Sequence, residues 1–278
     1  MEKRPRSFYV LSVVFALFVL FLYGPTITIG ILSFQGPEGG LTFPMRGVSL
    51  NWFHELFQQQ AVGDIWGAFR RSFALGLMVM VTTVVVSVMA GLAFRKRFPG
   101  SGLLFYATIA SLVIPSILIS LGVGLIFNQL GLKVHWATSG FGAQLTWTLP
   151  FGLLIMFAVF NRFDRSYEEA ARDQGASAWQ TIRFVVLPII APSLIGVALF
   201  GFTLSYDEFA RTLLTAGSYN TLPLEIFGMT TNVTTPVVYA LGTLTTAFSL
   251  LIIGAFLLLA WVMARRRARL GSDAGKGV

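Results

Sequence analysis

Residues 166–188 read SYEEAARDQGASAWQTIRFVVLP, a polar interruption in a chain that is otherwise mostly apolar. Ser166 with Glu169 three residues on fits a capping box, and Ser177 with Gln180 fits a second. Gly175 falls between them, where a helix needs a left-handed residue in order to stop. Pro188 closes the stretch and suits the first turn of a following helix. The local expectation is helix, sharp turn, helix, then a return into apolar sequence. Ala170 and Ala171 are small enough to let another surface come close. The stretch reads as a docking element.

Outside it, hydrophobic residues make up 55% of the 278 positions and charged residues 12%, too apolar for an ordinary soluble domain. Apolar runs predict six membrane spans, at 8–34, 72–94, 102–127, 143–161, 189–213 and 236–264, each able to cross about 30 Å of hydrocarbon. Gly24-Pro25 should bend the first and Pro115 the third, since each proline removes a helical hydrogen bond. Lys3, Arg4 and Arg6 before an apolar run mimic a signal peptide. The run is too long for one and no small-residue cleavage site follows, so a retained first span is expected. There is no Cys, and His54 and His135 are two lone loop histidines rather than a metal pair.

The net charge of +8 raises the question of an anionic partner, and its distribution answers it. Fifteen of the 20 Lys and Arg fall in the N-terminal tail, the loops 95–101 and 162–188 and the C-terminal tail, against five on the other side. The excess of positive residues predicts that the first side is cytoplasmic, with both termini there. The basicity is a topology signal, not a nucleic-acid signal, and it puts 166–188 in the cytoplasm between spans four and five.

On the outer side, 35–71 opens with a Gly- and Pro-rich irregular run. Ser49 could then cap a short helix carrying Trp52, Phe53, Leu56 and Phe57 as an apolar stripe. That stripe suits a helix resting in the bilayer interface, or else a docking surface for an external protein. Gln144, Thr146, Trp147, Thr148 and Pro150 open the fourth span, either to line a pathway or, the favoured reading, to bond helix to helix. Ser205, Asp207, Glu208 and Arg211 close the fifth span and form a candidate substrate pathway or gate. Arg211 stands i,i+4 from Asp207 and i,i+3 from Glu208, so helical ion pairing is available. Glu225 is a further acid near the mouth. No G-x-x-x-x-G-K-[ST], G-x-S-x-G or H-E-x-x-H occurs, so no nucleotide loop, nucleophile elbow or zinc pair is present.

Glu169-Ala170-Ala171, three residues, Gly175, then Leu187-Pro188 after eleven more resembles the EAA loop of ATP-binding-cassette importer permeases. Val185 stands where that family often has Ile. Ser205, Asp207, Glu208, Gly217 and Leu222-Pro223 are similar to the corresponding run in the spermidine/putrescine branch. The resemblance implies an all-α membrane protein of six transmembrane helices with the type I importer permease fold, forming one permease domain over 1–278. It assigns ATPase coupling to Glu169, Ala170, Ala171, Gly175, Leu187 and Pro188. It implies no cofactor in this chain, with ATP and Mg bound by a partner ATPase dimer at the cytoplasmic side of an inner membrane. A second, different permease chain and an external binding protein complete the assembly. The solute implied is a polyamine such as spermidine or putrescine, with iron, phosphonate or another small solute of the branch as the alternative. A stand-alone channel or secondary transporter and an intramembrane enzyme are the competing classes; the first predicts no ATPase partner.

Overall fold

The computed structural model describes residues 5–58, 63–96, 98–232 and 236–274, the side chains of Asn232 and of 266–274 excepted. Among the described residues the regular elements are all helical, and the one β-type pairing is an isolated bridge between Gln35 and Val48. In order they are α1 (Arg6–Leu32), α2 (Asn51–Phe57), α3 (Ile65–Phe94), α4 (Ser101–Ala110), α5 (Ser116–Gln129) and α6 (Phe141–Asn161). There follow α7 (Ser166–Asp173), α8 (Ala178–Thr181), α9 (Leu187–Tyr206), α10 (Leu222–Asn232) and α11 (Val237–Ala274). Wider π turns, Trp136–Gly140 and Ile182–Val186, lead into α6 and α9.

Among the described residues five helical runs are long and apolar enough to cross a membrane: Arg6–Leu32, Ile65–Phe94, Trp136–Asn161, Ala178–Tyr206 and Val237–Arg265. The expected third span differs. It is two helices of 10 and 14 residues, α4 and α5, about 15 and 21 Å long at 1.5 Å per residue, each too short to cross alone. Pro115 does more than bend the helix. It sits in an extended conformation with ψ 132° and disfavours helical geometry in its predecessor. Ser111 stabilises the break by donating its hydroxyl to the Thr146 carbonyl at 2.8 Å, an irregularity tolerable at membrane depth when protein covers it. By contrast α1 passes through Pro25 unbroken.

Three other boundaries move. α3 begins seven residues before the expected 72, so Arg70 and Arg71 lie on the helix. The fifth span ends at Tyr206, not 213. The last helix continues beyond the Arg265-Arg266-Arg267 stop to Ala274, because polar residues end a hydrophobic crossing without ending a helix.

The chain packs as two compact units. In the larger, Ile65–Glu225 with Leu250–Val278, α3, α6 and α9 pack on one another. Met156 and Phe160 of α6, Val186, and Ile190 and Val197 of α9 form its core, with Val84, Val88 and Leu92 of α3 against them. Small residues set the spacing, as expected where close helix contact is the main source of association in lipid. A Cβ at Gly152 would overlap the Ser87 hydroxyl, and one at Gly201 would stand 3.1 Å from the Met80 Cα. Thr83 donates to Thr148 at 2.8 Å across the α3–α6 contact, which is the packing role expected of Thr148.

The smaller unit comprises Met1–Asp64 and Ile226–Ser249. Its 35–48 loop folds around the buried side chain of Gln35, which donates to the Gly40 carbonyl at 3.1 Å and accepts from the Arg46 amide at 2.7 Å. Ser49 accepts the Asn51 amide at 3.0 Å, so α2 starts one residue later than expected. The stripe on α2 is also not the free surface expected from sequence. Trp52 and Leu56 are buried and Phe53 packs on Phe34 at 5.3 Å between ring centres, leaving Phe57 as its exposed member.

Candidate functional site

The 166–188 stretch folds as helix, turn, helix, with one change at its start. Ser166 and Glu169 do not form a capping box. The Ser166 amide donates instead to the Asp164 carboxylate at 2.9 Å, which holds that carboxyl below its ordinary range. Ser166 is thereby the first residue inside α7, and Glu169 is left exposed. The end of α7 is closed as expected. Gly175 has φ 83°; its amide reaches the Arg172 carbonyl at 2.8 Å, and the Ala176 amide reaches Ala171 at 3.0 Å. These are the two bonds of a Schellman turn. The second capping box is complete: Ser177 and Gln180 exchange side-chain and backbone bonds at 3.3 and 2.8 Å. Beyond α8 the chain does not break at Pro188. Leu187 bonds back five residues to Ile182, and that wider turn makes room for a proline that lacks an amide and would crowd the carbonyl four residues before it.

What fixes this loop to the bundle is a residue the motif reading passed over. Glu168 is buried and receives both terminal nitrogens of Arg95, at 2.5 and 3.1 Å. Arg95 lies just beyond α3, with its guanidinium 5.3 Å from the ring centres of Phe160 and Phe163. One carboxylate on α7 is thus clamped to the end of α3 and to aromatics at the end of α6. The outer side of the loop carries Tyr167, Trp179 and Phe184, each more than half exposed.

The second candidate group, at the end of α9, is brought together in part. Because the helix stops at Tyr206, Arg211 is not helical and the expected i,i+4 pair with Asp207 does not form. Arg211 pairs with Glu208 at 3.8 Å, and its amide donates to the same carboxylate at 3.1 Å. Its guanidinium is fully buried, donating to Ser116 of α5 at 2.6 Å and Thr146 of α6 at 3.3 Å, and lying 4.5 Å from the Trp147 ring centre. The Nη2 atom has no partner among the described residues. Asp207 stands apart on the exposed side, while Ser205 is buried, its hydroxyl likewise without a partner among the described residues. Gln144, one turn before Thr148 on α6, is buried with both amide atoms unpartnered among the described residues.

Segment 207–221 is held inside the protein by hydroxyls. Ser120 accepts the Leu214 amide at 2.9 Å, Ser139 donates to the Thr215 carbonyl at 2.8 Å, and Ser72 accepts the Leu222 amide at 2.8 Å. None of these serines belongs to a recognisable pattern, and the partners are 76 to 150 positions apart. Glu225 bonds to Asn220 at 2.8 Å, and the Arg71 Nε donates to the Asn220 carbonyl at 2.7 Å.

This arrangement, a broken and a continuous set of apolar helices with a short helix pair between two crossings, is similar to that of subunits in solved ABC transporters. A subunit of a bacterial ABC transporter that imports the acidic polysaccharide alginate matches with a TM-score of 0.69 at 16% identity, covering 93% of this chain and 98% of that one. The MetNI methionine ABC transporter matches with a TM-score of 0.56 at 17% identity, over 78% and 99%. In sequence, the chain is 30% identical over 240 residues to the spermidine/putrescine transport system permease protein PotC of Haemophilus influenzae, covering 84% of this chain and 89% of that one. It is 28% identical to the putrescine transport system permease protein PotI of Escherichia coli, over 81% of each. Residues 83–268 match the family described as the binding-protein-dependent transport system inner membrane component. The chain belongs to that family: it is a multi-pass inner-membrane permease component with the type I importer permease fold.

Proposed function

We propose that this chain passes a polyamine such as spermidine or putrescine from an external binding protein to the cytoplasm, driven by a separate ATPase. One observation carries the reading: the loop between the last two but one crossings is a stiffened helix pair that turns Tyr167, Trp179 and Phe184 outward. Such an aromatic surface fits a protein partner, and the missing phosphate loop requires that partner to bring ATP and Mg. Glu169, Ala170, Ala171, Gly175, Leu187 and Pro188 form the coupling region on this reading. The positive-residue excess puts it in the cytoplasm with both termini. A second permease chain, different from this one, faces it across the pathway.

The mechanism follows from the connections of the loop. A partner that displaces α7 pulls on α3 through Glu168 and Arg95, and displacement of α8 passes directly into α9. Because α3 and α9 pack on each other, the bundle has two states which ATP binding and release bias alternately. Ser205, Asp207, Glu208 and Arg211 form the gate. The polyamine assignment rests on the resemblance to PotC and PotI and on the acids Asp207, Glu208 and Glu225. Arg211 gives a phosphonate or other anion-bearing solute its place in the same assay.

Two measurements test this. The chain purified in mild detergent should bring an ATPase with it, and Gly175→Val should lose that partner. The complex in proteoliposomes should accumulate spermidine or putrescine only with ATP. An intact complex that takes up neither would refute the substrate, and a chain that moves solute alone would refute the class.

A further inference from the structure

Between the end of α3 and the pair α7 and α8 lies a cleft of about 510 Å³. Four basic side chains line it, Arg95, Lys96, Arg165 and Arg172, with two acids, Glu168 and Glu169. The acids do not neutralise it. Both oxygens of Glu168 are taken by Arg95, and Arg172 approaches that carboxylate only at 4.0 Å. Among the described residues no carboxylate lies within ion-pair distance of Lys96 or Arg165; Arg165 donates to the Arg95 carbonyl at 3.5 Å. The four basic residues that line the cleft thus outnumber its two acids, and Glu168 is already held by Arg95 with Arg172 at the edge of ion-pair reach. The cleft also has an apolar wall, from Leu92 on α3 and Ile182 after α8.

Its depth identifies the ligand. Arg95 and Lys96 follow directly on the last residue of a membrane-crossing helix. At that level Phe94 packs on Phe105, with ring centres 6.0 Å apart, and Phe105 packs edge-on against the exposed Tyr106 at 5.7 Å, a ring type enriched at membrane–water boundaries. A basic pocket between transmembrane elements at headgroup height, with apolar wall beside it, has the chemistry of a phospholipid phosphate site. We propose that the cleft binds the headgroup phosphate of an anionic phospholipid, which tethers the coupling loop to the membrane surface next to the Arg95–Glu168 clamp. The proposed orientation enters in naming the cytoplasmic leaflet as the source, and the proposal requires that an ATPase on the coupling region leave the cleft open although Glu169 lines it; it does not depend on the substrate.

The test uses the full chain, alone and in its complex, in nanodiscs of phosphatidylcholine with or without phosphatidylglycerol. Native mass spectrometry reads the lipid retained after transfer to detergent. The wild type should retain phosphatidylglycerol in preference to phosphatidylcholine. Each basic residue near a charged membrane surface is worth about fivefold in binding, so Lys96→Gln, Arg165→Gln and Arg172→Gln together should lower the preference by on the order of a hundredfold. The exposed Lys96→Gln alone should lower it about fivefold, which covers the case where the triple variant misfolds. Arg46→Gln, which removes the same charge elsewhere, should leave it unchanged. Equal retention by wild type and triple variant would overturn the proposal. So would displacement of the lipid by millimolar inorganic phosphate, which would make this a soluble-anion site. Loss of the lipid whenever the ATPase is bound would overturn it too, since the cleft would then belong to that partner. Failure of ATPase recovery or of polyamine uptake would bear on the transport reading alone.

Discussion

Replacing Glu168 with Gln keeps the shape of the side chain and removes the charge that Arg95 holds. Breaking a buried ion pair from one side costs about 3–5 kcal/mol, because the remaining charge loses its counter-ion away from water. Here the side chains retain 13% and 11% of their exposure, and Arg95 keeps two aromatic faces at 5.3 Å, each worth about 0.5–1 kcal/mol to a partly exposed cation. Both reduce the penalty, and about 2 kcal/mol is the expected loss. At 1.4 kcal/mol per factor of ten, that opens the α7–α3 contact about thirtyfold more often. Amide exchange in α7 should accelerate by that factor while exchange in α6 stays unchanged. The ATPase should still associate, and solute moved per ATP hydrolysed should fall. A double-mutant cycle with Arg95→Gln isolates the pair, with an expected coupling of about 1.5–2 kcal/mol. A coupling below about 0.5 kcal/mol, the range of exposed pairs, or unchanged exchange in α7, would refute the clamp.

Gly175→Val should cost about 1–2 kcal/mol and most of the ATPase recovered on purification, since φ 83° resists a β-branched side chain. Its Cβ would meet nothing within 4 Å, so Gly175→Asn, which accepts that conformation, should retain most of both. Ser177→Ala should remove about 1 kcal/mol from the start of α8, read as faster amide exchange at Gln180. Glu169→Lys breaks no capping bond, because none exists, and should cost the loop only about 0.3–1 kcal/mol through the helix dipole; a large fall in ATPase binding would then report the partner surface itself. Arg211→Met should destabilise the detergent-solubilised chain by about 3 kcal/mol, since it strands Glu208 and two hydroxyls. Adding Glu208→Gln should recover part of that loss in thermal unfolding, and no recovery would refute the pair.

The helix–turn–helix of 166–188 was legible because its signals are local. A capping box, a C′ glycine and a proline each act within three to five residues, and the sequence carries them side by side. Even there one box was misplaced: Asp164, two positions before Ser166, takes the Ser166 amide that the Glu169 side chain was expected to accept, and only the backbone path decides between them. The apolar runs located the crossings, but hydropathy does not locate helix ends. Phe209 and Leu213 extend the fifth run beyond Tyr206, where the chain has already left the helix to follow Ser120, Ser139 and Ser72. Likewise Pro115 was visible, but whether it bends or breaks the third span depends on Ser111 reaching α6. The Glu168–Arg95 pair spans 73 positions, and counting Arg95 as one more positive residue in a loop concealed its partner.

The loop is longer than a connection requires. Helix–helix connections in bundles take about 2–8 residues, and helices as short as α7 and α8, with eight and four residues, are unstable alone in water. Each of their ends is nevertheless fastened: Asp164 and the Schellman turn for α7, the Ser177–Gln180 box and the unbroken run into α9 for α8. Fastened ends convert a connection into a lever. Glu168 ties one arm to α3, the π turn at Ile182–Val186 ties the other to α9, and Gly175 is the one joint between them. A force on both arms moves α3 and α9, already packed together, as a body; a force that spreads them is absorbed at Gly175. Transmission on the proposed mechanism is therefore limited by the stiffness of that turn more than by the area of the docking face, which is why a substitution whose Cβ would meet nothing within 4 Å should still disable coupling.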